Sequence, residues 1–179
     1  MPDHFVPIFS GRAVRSALTR GPGISHPPIR VLHQTGLMLH LIKLCVGVES
    51  LQELADWQKK RLKEKRAKGQ KPELIHVTRQ MPKRAAELLD GGSLYWVIKG
   101  QIMARQTLLE LREMKKNGVP HCGLVYDKRL IPVRPRPRRA FQGWRYFEGK
   151  DAPPDIAEIK GAKGLPENLK RELATLGLL

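Results

Sequence analysis

The stretch RPRPRRAFQGWRY, at positions 134–146, gathers the residues best suited to chemistry with a polyanion. Five arginines, two prolines and three aromatic residues fill it, with no acidic residue among them. Pro135 and Pro137 fix φ and lack an N–H, so they keep the chain extended and space Arg134, Arg136 and Arg138 along it. A guanidinium grips phosphate through two parallel hydrogen bonds and also stacks on flat rings. Arg139 and Arg145 extend the basic track, while Phe141, Trp144 and Tyr146 bring planar surfaces beside it. Such a combination suits single-stranded nucleic acid, where each stacked base contributes about 1–3 kcal/mol. Gln142 adds an amide able to meet a base edge, and Gly143 lets the backbone turn. Phe141 and Trp144 are equally readable as anchors of the loop, and Trp57, Trp96 and Trp144 as core residues.

Other cations form a secondary patch. Lys83 and Arg84 fall at the start of an expected helix, where the macrodipole disfavours cations and a bound phosphate would relieve the conflict. Lys99 and Arg105 join them, with Tyr95 as a further stacking ring. The alternative reading is an enzyme or binding protein for a small phosphorylated or nucleotide-like ligand, held by His76, Arg79, Lys83 and Tyr95. The residues leave open whether any reaction is catalysed. No phosphate-binding glycine loop, dinucleotide fingerprint, zinc-protease helix or nucleophile elbow occurs. The two cysteines, Cys45 and Cys122, share no metal-binding spacing with histidine, so neither a metal nor a cofactor is expected.

The elements that must position these groups follow from periodicity and turn chemistry. LHLIKLCVGV at 39–48 suits a buried strand. SLQE at 50–53 is a capping box, with Ser50 and Glu53 exchanging hydrogen bonds with each other's backbone, and it opens a helix to about Ala67 that stops at Gly69. Leu51, Leu54, Ala55 and Leu62 form its apolar face. The basic run at 59–71 reads as a solvated helix end as readily as a binding patch. ELIHVTR at 73–79 is a short strand, and PKRAAELLD at 82–90 a second helix starting on Pro82. From 93 to 114 the chain alternates as a strand, bent or bulged at Gly100, with helix over 101–114 as the competitor. KKNG at 115–118 is a turn signal, HCGLVYD at 121–127 another strand, and RLIPV at 129–133 an edge strand that tolerates Pro132. LPENLKRELATLG at 165–177 predicts a final helix. Together these give an α+β domain with a mixed or antiparallel sheet and three or four short helices.

Bulk properties bound the partner class. Thirty-three Lys and Arg against seventeen Asp and Glu leave a formal net charge of +16 in 179 residues. That favours RNA or another polyanion. With 41% hydrophobic residues the chain can build a core. No apolar run approaches the about 20 residues of a membrane-spanning helix. Two unpaired cysteines suit a reducing cytoplasm.

Residues 1–37 differ in character, with five prolines, four arginines and one acid, Asp3. They read as a disordered or non-native extension ahead of a start at Met38, leaving 38–179 as a single domain. Over that span the chain resembles a family of small bacterial proteins known only as a conserved domain of unknown function. The resemblance rests on LHLIKLCVG, HVTRQMPKRAAELLDGGSLYWVIKG, CGLVYD and PRPRRAFQGWRY, and it implies no activity. The layout of strands and short helices is also similar to a PUA-like pseudo-barrel, a fold-level likeness often associated with RNA or modified bases.

Overall fold

The computed structural model describes residues 38–156 together with Asn168. The extension expected at 1–37 and the helix expected at 165–177 lie outside the described residues, apart from the helical Asn168. In chain order the elements are β1 (Leu39–Leu44), α1 (Leu51–Ala67), β2 (Leu74–Thr78), α2 (Ala85–Leu89), β3 (Ser93–Ile98), β4 (Gln101–Lys116), β5 (Val119–Tyr126), β6 (Ile131–Pro137) and β7 (Trp144–Glu148), then a 3₁₀ turn at Gly149–Asp151. The α+β class holds, with one mixed, open seven-stranded sheet. The helix count does not: two α-helices occur among the described residues, not three or four.

The sheet runs β2-β5-β4-β3-β1-β7, with β6 also paired to β4. Only the β1–β3 pair is parallel, and its crossover carries α1, β2 and α2. The long strand β4 is where the sheet divides its work. Residues 101–107 pair with β3, residues 101–105 also with β6, and residues 108–116 with β5. Register shifts leave Met103 and Leu109 unopposed, so the strand bends at both places. The helix alternative for 101–114 fails because Ile102, Ala104, Gln106 and Leu108 are all buried at a spacing of two.

Local chemistry sets the ends of the elements. Ser50 Oγ accepts from the Glu53 amide at 3.1 Å, as the box predicts, but the Glu53 carboxylate reaches the amide of Glu49 at 2.8 Å instead of Ser50. Helix α1 closes with Gly69 at φ 65, while the amides of Gly69 and Gln70 donate to the carbonyls of Arg66 and Lys65. Gly100 is neither a bulge nor a mid-strand bend. It pairs with Lys99 as a two-residue hairpin turn, φ 75 and 46, and Asn117–Gly118 repeats the device at φ 51 and 77. The second helix begins three residues later than expected. Its cap is Arg84, with no side-chain cap bond, and it completes little more than one turn.

Two apolar clusters flank the sheet. Leu41, Leu94 and Trp96 face the helices along with Leu54 and Leu88. Ile42, Tyr95, Val97, Ile102, Val133 and Phe147 make the opposite cluster. Because neighbours along a strand point to opposite faces, Tyr95 and Trp96 belong to different layers.

Candidate nucleic-acid interface

The arginine segment begins inside β6. Arg136 lies opposite Ile102 and Pro137 opposite Gln101, and the Arg138 amide donates to the Gly100 carbonyl at 2.7 Å. Strand β6 is thus a longer edge element than RLIPV alone suggests, tolerating Pro132, Pro135 and Pro137 because it hydrogen-bonds to β4. Its outer side is held by the segment after β7. The Arg134 amide donates to the Pro154 carbonyl at 2.9 Å, Val133 bridges to Asp155, and the Arg136 guanidinium donates to the Asp151 carbonyl. Residues 138–143 then loop to β7, turning at Gly143 with φ 75.

Arg134, Arg136, Arg138, Arg139 and Arg145 are all exposed, and among the described residues none pairs with a carboxylate. Two of them lie over rings. The Arg138 guanidinium carbon is 5.8 Å from the centre of Phe147, and that of Arg145 is 5.9 Å from the centre of Phe141. Arg138, Arg139, Phe141, Arg145 and Tyr146 line an open concavity of about 590 Å³, while Gln142 is exposed near it in sequence. Trp144 is half-buried and meets Tyr146 edge-on at 5.2 Å. Its alternation with Arg145 on β7 puts the two side chains on opposite faces.

The secondary patch does not assemble as expected. Arg105 is drawn inward, with two hydrogen bonds of 2.6 Å to Asp155 and one of 3.2 Å to Ser93. Arg84 is clamped by Glu87 and lies 5.6 Å from the centre of the Tyr146 ring, so the cation at the helix start is answered by a carboxylate one turn on. Lys99 pairs with Glu49 at 2.9 Å. Lys83 stays exposed. Tyr95 is only 3% exposed and packs on His40 and Phe147, so it offers no face to a base.

The residues of the small-ligand alternative are likewise separated. His76 packs edge-on against Trp96 at 6.5 Å, while Tyr95 faces the other layer. Arg79 and Lys83 are both exposed. Burial drives the His76 pKa down from 6.5 to about 4, assisted by Lys43. Sequence reasoning missed Phe147, the ring beneath Arg138, and the 149–156 strap that fixes β6. The alternating aromatic and charged residues of WRYFE were the available signal for β7.

A family model described as "Protein of unknown function (DUF1489)" matches residues 41–179. No curated protein and no solved structure matches the chain.

Proposed function

The chain belongs to the DUF1489 family of proteins of unknown function, and we propose that it binds single-stranded nucleic acid, RNA above all, through residues 134–146. One contrast carries the proposal. Arg84, Arg105 and Arg112 are each matched to a carboxylate of the protein, whereas the five arginines of this segment are exposed with none. An unneutralised row of guanidinium groups on a rigid, proline-spaced edge strand is complete only with anions from outside. Arg134, Arg136 and Arg139 would follow the phosphates. Arg138 and Arg145, backed by rings, would meet the bases, with Phe141 and Trp144 beside them and Gln142 at a base edge. Lys83 extends the track as the member of the secondary patch without a carboxylate partner among the described residues. The two free thiols suit a cytoplasmic partner. The PUA-like likeness belongs to this proposal too, since a pseudo-barrel needs a bent strand whose halves pair separately, as those of β4 do.

The test is fluorescence anisotropy of a labelled single-stranded RNA across a salt series. Reversing Arg136, Arg138 and Arg139 to Glu should abolish retention at moderate salt. Where binding is still measurable, the salt slope should flatten by roughly 2, at about 0.7 per lost phosphate contact on single strands. Unchanged affinity in the triple variant would remove the segment from any role in binding.

A further inference from the structure

Three of the sequence stretches singled out above converge on the helix-bearing face, at a place the arginine track does not use. Lys43 on β1 is the register partner of Trp96 on β3 and of Trp144 on β7. Partners across adjacent strands project to the same side, so the lysine stands in a row between two indoles. His76 closes the row from β2, its ring against Trp96. Tyr146, in edge-on contact with Trp144, flanks it, and its hydroxyl accepts from the Arg84 amide at 3.1 Å.

Lys43 is half-buried and, among the described residues, has neither a hydrogen-bond acceptor nor a carboxylate. An ammonium held partly out of water without an acceptor is costly to keep, and an anionic ligand would relieve that cost. The half-buried indole of Trp144 beside it offers a flat apolar surface. We infer that Lys43, His76 and Trp144 form a small-ligand site for a nucleoside monophosphate, its phosphate on Lys43 and its base against Trp144. The lowered pKa values of Lys43 and His76 accord with two bases crowded out of solvent together. The site is separate from the arginine track, because Trp144 and Arg145 point to opposite faces of β7. The ligand may be a free nucleotide or the phosphorylated end of a strand, which present the same chemistry.

Tryptophan fluorescence of the full chain, titrated with each ribonucleoside monophosphate, tests the site. Saturable quenching below about 1 mM is expected. Inorganic phosphate alone and the uncharged nucleoside should each bind more weakly. Lys43→Met should weaken binding about tenfold or more with the melting temperature unchanged or raised. The Arg136, Arg138 and Arg139 charge-reversal variant should bind the nucleotide as the parent does. A 5′-phosphorylated oligonucleotide that binds more tightly than the monophosphate, in a Lys43-dependent way, would identify a strand end as the ligand; equal affinity would identify the free nucleotide. No saturable binding by the parent, undiminished binding by Lys43→Met, or loss in the arginine variant would overturn the inference. Should Lys43→Met not fold, amide shift changes in the parent must centre on residues 43, 76 and 144, and changes centred elsewhere refute the site.

Discussion

The Arg105 guanidinium and the Asp155 carboxylate meet through two hydrogen bonds of 2.6 Å, with both side chains largely shielded from water. This pair ties β4 to the strap that returns along β6 and so fixes the edge on which the arginine segment is built. Asp155→Asn should therefore destabilise the fold by roughly 3 kcal/mol, the low end of the range for breaking a buried pair. Replacing both partners with apolar residues should recover much of the loss. Urea denaturation of the single and double variants measures both, and a loss below about 0.5 kcal/mol in the single variant would show the pair to be dispensable.

A second buried device is neutral. Gln58 and Gln106 exchange amide hydrogen bonds at 2.9 Å, while Gln106 also accepts from the Trp96 indole at 2.7 Å and donates to the Asp127 carbonyl at 2.8 Å. Gln106→Leu would strand those partners in the core. The expected cost is about 2–4 kcal/mol, from one to three for each group left unsatisfied. Thermal unfolding read by tryptophan emission would report it, and a near-neutral result would mean that water reaches Trp96.

Stability should fall with acid before the carboxylates titrate. His40 is buried, accepts from the Ser93 amide through Nδ1 at 3.1 Å, and has its pKa lowered from 6.5 to about 4 by burial and then by Arg105. His76 is lowered to about 4 by burial and then by Lys43. Between about pH 6.5 and pH 4 the unfolded chain thus holds more protons than the folded one. The stabilisation from these neutral histidines is complete above about pH 6.5 and drains away as pH falls toward 4. Together they should cost on the order of a few kcal/mol, reduced for the partly exposed His76. Urea midpoints at pH 7 and pH 5 measure the slope. His40→Asn, which keeps an acceptor for Ser93 without the titration, should shrink it; an identical slope would acquit His40.

Where rings back the guanidinium groups, charge alone should not suffice. Replacing Arg138 and Arg145 with lysine preserves the net charge but removes the planar faces that lie over Phe147 and Phe141. RNA affinity should drop about tenfold, near the low end of stacking contributions, while the salt slope stays as in the parent. If the double lysine variant binds as well as the parent, the track works through point charges only.

The amino-acid sequence by itself determined the features whose causes are local. Ser50 and Gly69 bound α1 because capping bonds span only a few residues. Asn117–Gly118 turns one hairpin because both residues tolerate positive φ, and alternation marked the strands of the sheet. The exposure of the five arginines was legible as well, since guanidinium groups without nearby acids stay in solvent. Only the tertiary structure decided which other cations are consumed: Arg105 by a carboxylate 50 positions on, Lys99 by Glu49. It also decided that Tyr95 is core and that Lys43 stands between two tryptophans. Those outcomes depend on strand order and register, which are set by burial of the whole sheet and leave no mark in the spacing of neighbouring residues.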